Sequence, residues 1–168
     1  MLNLKKLKLY KISENYIEFL RETDPVNVKY NKQERRPYIG IIFEVNKILY
    51  FAPLASPKSK HLNMKNSLDF IKIENGNLGA INLNNMIPVC ERAILELDIA
   101  KEEEPYRNLL YGQMRFINKH YEEICEKARK LYISVTKYHS YLEKRCAKFK
   151  ALEEKSQLYV KGQDAPCI

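Results

Sequence analysis

The sequence lacks the motifs with which many enzymes hold a metal ion or a nucleotide. Its four cysteines are far apart and form no C-x-x-C pair, and its three histidines form no H-E-x-x-H motif. It has 5 glycines and no glycine-rich phosphate loop. We therefore predict a protein with no cofactor and no metal site, whose cysteines are reduced thiols in a reducing compartment.

Long apolar runs are absent as well. No run approaches the length of a membrane span, and residues 1–11 mix Leu with Lys without the apolar core of a signal peptide. A chain of 168 residues, 45% hydrophobic and 30% charged, has the size and composition of a globular domain. We expect a single cytoplasmic domain over residues 1–168, with no contact to a membrane.

The net charge of +8 is concentrated in the first part of the chain. Residues 1–65 hold 13 Lys or Arg and 6 Asp or Glu, which leaves +7 in that part. A local basic field attracts polyanions and gains from the release of their counterions. This distribution favours a nucleic acid as partner, although a basic surface without a partner explains the net charge equally well.

Hydrophobic periodicity indicates strands first and helices afterwards. Ser13 is typical of a helix N-cap, and the turn at residues 46–47 predicts a hairpin between two β-rich runs. Helical spacing begins at Pro105, and residues 141–158 are predicted as a further helix. The β-rich runs that predict strands are residues 7–12, 38–45, 48–52, 68–73, 79–83 and 86–89.

This order of elements predicts an α+β fold. We expect a compact, twisted antiparallel sheet or half-barrel with helices packed on it. The predicted boundaries are a sheet-rich part at 1–91, a helical part at 92–160 and a short tail at 161–168. The aromatic residues at helical spacing, Tyr111, Phe116 and Tyr132, are interpreted as core residues.

The segment that leaves the hairpin carries side chains suited to a phosphodiester. Two prolines hold its backbone, and Ser56, Lys58, Lys60 and His61 follow within a few residues. Cleavage of RNA by its own 2′-OH requires proton transfer and stabilisation of charge on the phosphate oxygens. Lys58 is the candidate phosphate clamp, Ser56 offers a hydroxyl and a backbone N–H, and His61 titrates near neutral pH.

The polar loop at residues 27–36 has no apolar period and is predicted to lie on the surface. Its basic side chains Lys32, Arg35 and Arg36 reach the same phosphate only if the loop folds over the hairpin. Tyr30 could stack on a base or pack on its own loop.

These residues also have structural interpretations. The sequence Ser-Pro-Lys is common in turns, and Lys58 and Lys60 could simply be solvated. His61 is more easily explained as a positioning or substrate-contacting residue than as the general base.

The chain also resembles the endoribonuclease toxins of type III toxin–antitoxin systems, the ToxN, CptN and AbiQ group. Five segments carry the resemblance in the same order, and together they cover most of residues 7–118. The helical part at the C-terminus resembles the family only loosely. The five segments are residues 10–17, 38–41, 52–61, 79–88 and 106–117.

The resemblance implies a fold, a reaction and a partner. The implied fold is a barrel-like sheet similar to the Kid and MazF toxins. The implied reaction is metal-independent cleavage of A-rich single-stranded RNA, leaving a 2′,3′-cyclic phosphate and a 5′-hydroxyl. The implied substrates are cellular and phage mRNA. The implied inhibitor is a small repeat RNA folded as a pseudoknot, which the toxin cuts from a precursor and retains in a closed toxin–RNA ring. The implied role is phage abortive infection.

The resemblance also implies residue roles. Ser56, Lys58 and Arg36 take the catalytic positions, with Arg35 as a substitute for Arg36 because the loop is longer here. Ala55 stands where other members have Thr, which limits this position to a backbone role. Two other readings stay open: a non-catalytic RNA-binding module, and a protein-interaction domain that uses the helical half. The implied RNA contacts are Tyr30, Lys32, Arg35, Ala55, Lys60 and His61.

Overall fold

The computed structural model describes residues 7–163, with side chains through residue 159. Within these residues seven strands form an open antiparallel sheet that is accompanied by five α-helices, as the predicted α+β class requires. The strands are β1 (Lys8–Ile12), β2 (Tyr38–Val45), β3 (Ile48–Ala55), β4 (Phe70–Lys72), β5 (Ala80–Asn82), β6 (Ile87–Val89) and β7 (Ile94–Glu96). The helices are α1 (Glu14–Arg21), α2 (Ser59–Asn63), α3 (Tyr106–Lys119), α4 (Tyr121–Thr136) and α5 (Phe149–Gln163).

Strand β3 lies at the centre of the sheet. The strand order is β4-β5-β3-β2-β1-β7, and β6 also pairs with β3. One edge of β3 pairs with β2, whereas the opposite edge is divided between β6 at residues 49–51 and β5 at residues 54–55. Seven of the eight β3 residues are buried, which explains why this strand is a continuous apolar run without alternation.

Helices cover the sheet and bring polar groups into its core. Helix α4 contacts β2, and α5 contacts β6 and α1. The hydroxyls of Tyr50 and Tyr132 donate to Glu153 Oε1 at 2.8 and 2.5 Å, and the Tyr16 hydroxyl donates to the Pro88 carbonyl at 2.6 Å. Burial raises the pKa of Tyr16 and of Tyr50 far above the ordinary tyrosine range, so both hydroxyls stay protonated as donors.

Several predicted elements are confirmed. The hairpin β2–β3 turns at residues 46–47, and Ser13 Oγ accepts a hydrogen bond from Tyr16 N at 3.3 Å as the N-cap of α1. The structure extends β3 beyond the predicted end at residue 52, through Pro53 to Ala55. Leu54 N donates to Pro37 O at 2.9 Å, and Ala55 pairs with Ala80, so both edges stay engaged there.

Other predictions were wrong. Strand β7 lies in the part of the chain that was predicted to be helical. It has three residues between short 3₁₀ turns, which is too few to show the alternation of apolar and polar residues that predicts a strand. The predicted helix 141–158 is broken into a 3₁₀ turn at Tyr141–Arg145 and α5. The break occurs because the N–H of Ala147 donates to Asn84 O and that of Lys148 to a side chain, instead of to carbonyls within one helix.

The three helical aromatics differ in burial. Tyr132 is buried and Phe116 is half-buried, but Tyr111 is 41% exposed, so its assignment to the core was wrong. Helix α5 continues through residue 163, into the predicted tail at 161–168. The rest of that tail, residues 164–168, lies outside the described residues and includes Cys167. No described helix has both the length and the apolar character needed to cross a bilayer.

Candidate active site

The predicted catalytic segment begins where the pairing of β3 ends. Ala55 is still paired with β5, whereas Ser56, Pro57 and Lys58 are exposed. Helix α2 starts at the next residue, and His61 N donates to Lys58 O at 2.9 Å. The hydroxyl of Ser56 and the ammonium group of Lys58 therefore stand on a short exposed link between a fixed strand and a helical turn.

Two glycines hold this link by close backbone contact. Gly79 has φ +95°, and a Cβ on it would lie 2.0 Å from the Ala55 carbonyl oxygen. Gly76 has φ +94°, and a Cβ there would lie 2.7 Å from the His61 carbonyl oxygen. Any other L residue would be strained at both positions and would push the link away. The turn between β4 and β5 thus supports both ends of the segment.

The polar loop at residues 27–36, called the basic loop from here on, folds back onto β1 and α1. Asn31 is fully buried, and its Nδ2 donates to Ile12 O at 2.7 Å. Glu34 Oε1 accepts from Glu14 N at 3.0 Å, and Glu34 N donates to Glu14 Oε2 at 3.2 Å. Val28 is also buried, so the prediction that the whole loop lies on the surface was wrong. These contacts satisfy polar groups at the end of β1 and at the start of α1.

Arg36 and Tyr30 contact each other within the loop. Arg36 Nε donates to the Tyr30 carbonyl at 2.8 Å. The Tyr30 ring is 68% exposed, but one face lies under the Arg21 guanidinium, 3.6 Å from the ring centroid. Unlike the other predicted site residues, Tyr30 lines neither of the two cavities, and its contact with the site is the hydrogen bond that it accepts from Arg36.

Two cavities meet at the predicted catalytic segment. The first, of about 910 Å³, lies between the basic loop, the end of β3 and α3. The second, of about 700 Å³, lies between the same segment, α2 and the β5–β6 connection. Arg36, Ala55 and Lys58 line both cavities. The basic loop therefore does fold over the hairpin exit. Of the other predicted residues, Lys32, Arg35 and Ser56 line the first cavity, and Lys60 and His61 line the second.

The first cavity also contains residues that the sequence did not indicate. Six Lys or Arg and three Glu line it, and Lys11 forms an ion pair with Glu102 at 3.5 Å. Gln113 of α3 is buried, and its Nε2 donates to Leu78 O at 2.9 Å while its Oε1 has no partner among the described atoms. One sign in the sequence indicates that α3 contributes to this cavity, which is a Gln among the apolar residues at helical spacing.

His61 forms part of the wall of the second cavity. Its side chain is only 2% exposed, and its Nδ1 has no hydrogen-bond partner among the described atoms. Burial lowers the pKa of His61 below its ordinary value, and the nearby charges of Lys60 and Lys58 lower it further. His61 is therefore neutral at pH 7.

The assembled groups suit charge stabilisation. Within residues 7–163 no group of three or more His, Cys, Asp or Glu side chains is placed to hold a metal ion. The charged groups shared by the two cavities are the Arg36 guanidinium and the Lys58 ammonium, and Ser56 lines the first cavity with them. Cations at fixed positions stabilise the charge that develops on phosphate oxygens during transfer.

Comparison with known proteins identifies the family. Residues 8–157 match the family described as toxin ToxN of type III toxin–antitoxin systems. The chain belongs to the ToxN family. The endoribonuclease ToxN of Bacillus thuringiensis subsp. kurstaki is 34% identical to it, over 98% of this chain and 90% of that protein.

Solved structures of toxins from type III toxin–antitoxin systems have the same fold. One is the structure of a type III toxin that is selectively inhibited by a non-coding RNA pseudoknot. It superposes on this protein with a TM-score of 0.82 at 34% sequence identity, and the match covers 93% of this chain and 99% of the solved chain. Another is AbiQ, a lactococcal anti-phage endoribonuclease, with a TM-score of 0.77 at 26% identity over 93% and 99%. The predicted family, fold class and enzyme class are confirmed.

The low pKa of His61 predicts a pH-dependent stability. Because the folded state disfavours the protonated imidazole, the unfolded state binds the proton more readily, and His61 destabilises the fold as pH falls below about 6.5. We expect the free energy of unfolding, measured by urea titration, to fall less between about pH 7.5 and 5.5 in His61→Asn than in the wild type.

The control is His139→Asn, because the His139 side chain is exposed. This variant should keep the wild-type decline, because it changes an exposed side chain and no buried group. An unchanged decline in His61→Asn would show that the buried imidazole titrates as it does in the unfolded chain.

Proposed function

We propose that this ToxN-family endoribonuclease cleaves single-stranded RNA without a metal ion. The ribose 2′-OH attacks the adjacent phosphorus, and the products carry a 2′,3′-cyclic phosphate and a 5′-hydroxyl. The observation that carries the proposal is the junction of two basic cavities at Arg36, Lys58 and the exposed Ser56 hydroxyl. A phosphate at this junction is within a field of cations from two separate parts of the chain.

The residue roles follow from their chemistry. Arg36 stays protonated at any accessible pH, so its role is to stabilise negative charge and not to transfer a proton. Lys58 supplies a second positive charge as a mobile clamp on a non-bridging oxygen. The Ser56 hydroxyl donates a hydrogen bond to the same phosphate, and the contribution of Ala55 is limited to its backbone. Lys32, Arg35 and Lys60 extend the basic surface along the RNA on both sides.

The proposed substrates are A-rich stretches of cellular and phage mRNA in the cytoplasm. The proposed inhibitor is a small repeat RNA folded as a pseudoknot, which the toxin cuts from a precursor and retains in a closed toxin–RNA ring. Support comes from the solved family member that an RNA pseudoknot inhibits, and from the anti-phage role of AbiQ. The basic walls of both cavities fit an RNA partner better than a protein partner bound by the helical half.

The first test removes the proposed catalytic groups. Lys58→Ala and Ser56→Ala should each lower the rate of RNA cleavage by about 10²–10³-fold, the usual effect of losing one transition-state donor. Both variants should also lose toxicity when expressed in cells. The control Lys130→Ala removes an exposed lysine of α4 that lines neither cavity, and it should cleave RNA as the wild type does. Equal cleavage by all four proteins would refute the proposed site.

The second test examines the chemistry of cleavage. We expect full activity in EDTA, 5′-ends that polynucleotide kinase labels without prior phosphatase, and no cleavage of 2′-O-methyl RNA. The last result follows because the methyl group removes the attacking hydroxyl. Loss of activity in EDTA that added Mg²⁺ restores would contradict the metal-independent mechanism. A non-catalytic RNA-binding module would bind RNA and yield no products under any of these conditions.

The third test concerns the inhibitor. We expect short tandem repeats in the DNA just upstream of the gene, and we expect co-expression of their transcript to restore growth of cells that produce the toxin. The purified complex should contain single repeat units with a cyclic phosphate at one end and a closed ring of alternating toxin and RNA. A scrambled transcript of the same length and composition is the control. Undiminished toxicity with the repeat transcript would contradict the proposed partner.

A further inference from the structure

The second cavity is more strongly basic than the first. The six cations that line it are Lys29, Arg36, Lys58, Lys60, Lys65 and Arg145. Asp69 is the one carboxylate among its described lining residues, and it is buried. A cavity of about 700 Å³ falls in the size range of pockets for small organic ligands and single nucleotides. Its charge therefore suits an anionic ligand of that size.

Among these cations, Arg145 is held by an ion pair with the cavity's carboxylate. Its Nε lies 2.8 Å and its Nη2 2.9 Å from the two carboxylate oxygens of Asp69, which is a bidentate contact. Ser67 Oγ donates to the same carboxylate at 2.7 Å. The Arg145 side chain is nevertheless 54% exposed, so the donors that Asp69 does not use are available to a ligand.

The backbone at Arg145 is held as well. Asn84 Nδ2 donates to the Arg145 carbonyl at 3.2 Å, and the N–H of Ala147 donates to the Asn84 carbonyl at 2.8 Å. These bonds tie the interruption before α5 to the β5–β6 connection. The break in the predicted helix thus places the Arg145 guanidinium at the cavity, which Lys58 also lines.

Two other lining residues carry unpaired polar atoms. His61 Nδ1 and Asn85 Nδ2 have no partner among the described atoms, and both side chains are buried. A buried unpaired polar group costs free energy, and a ligand that supplies the partner recovers it. Phe70, also in the lining, adds an aromatic surface beside His61. An imidazole, an amide and an aromatic ring are the groups that proteins use against a nucleobase.

We propose that the second cavity binds one nucleotide of single-stranded RNA that is a neighbour of the scissile phosphate. Arg145 contacts the backbone phosphate of this nucleotide, and the base lies against His61, Asn85 and Phe70. Asp69 is a positioning residue that holds Arg145. The inference rests on the proposed cleavage at Ser56 and Lys58, because Arg36, Ala55 and Lys58 connect the two sites.

The experiment measures RNA binding as a function of salt. The probe is a short, mixed-sequence 2′-O-methyl RNA, which lacks the attacking hydroxyl. Arg145→Ala should bind it about tenfold more weakly and should lower the slope of log K against log salt by about 0.7, the value for one phosphate contact in a single strand. The control Lys144→Ala removes an equal charge from the neighbouring exposed residue and should keep the wild-type slope.

Asp69→Asn separates positioning from general attraction. This change removes a negative charge, so a merely basic surface would bind RNA more tightly. Loss of a positioned Arg145 weakens binding instead, and that is the result we expect. A misfolded fraction lowers the amount of RNA bound at all salt concentrations without changing the slope. Arg145→Lys, which keeps the charge, should recover the slope.

The two proposals fail in different ways. An unchanged slope in Arg145→Ala, or tighter binding by Asp69→Asn, would overturn the nucleotide site while RNA cleavage by the wild type still supported the proposed function. A wild type that binds RNA but never cleaves it would contradict the proposed function, and the salt slopes would still decide the role of Arg145.

Discussion

The pairing of β3 on both of its edges is the constraint on which the candidate active site depends. Strand β2 occupies one edge, and β6 and β5 share the other, so the backbone is engaged up to Ala55. A shift of one residue would move every β3 side chain to the opposite face of the sheet, where it would meet different core neighbours. The first free residue is therefore fixed as Ser56, and the hydroxyl and Lys58 take their positions from the strand.

The segment 51–61 was recognisable from local pattern because its cause is local: an apolar strand, two prolines and then polar residues. The position of the basic loop was not, because its anchors join residues 19 and 20 positions apart. Asn31 and Glu34 look like ordinary loop residues in the sequence, yet they bond to the end of β1 and the start of α1. Hydrophobic periodicity does not predict side-chain hydrogen bonds of this kind. The sequence therefore leaves open whether the loop folds over the hairpin.

The helical half was underestimated for the same physical reason. Arg145 reaches the second cavity through an ion pair with Asp69, which is 76 residues away, and Gln113 reaches the first through a bond to Leu78, 35 residues away. Helical spacing suggested that these residues belong to a scaffold packed on the sheet. The helices do pack on the sheet. In addition, Arg145 before α5 lines the second cavity, and Gln113 of α3 lines the first.

The two cavities differ in charge, and this difference has a consequence for the proposed catalysis. The first mixes six cations with three glutamates, whereas the second has a single carboxylate that Arg145 already occupies. An RNA strand that enters both must pass Arg36 and Lys58, because these residues line both. On the proposed function, binding free energy gained in the second cavity would hold a phosphate at the junction, where interactions that strengthen in the transition state raise the rate. A strand held in the first cavity alone would meet the carboxylates as well as the cations and would be less firmly positioned.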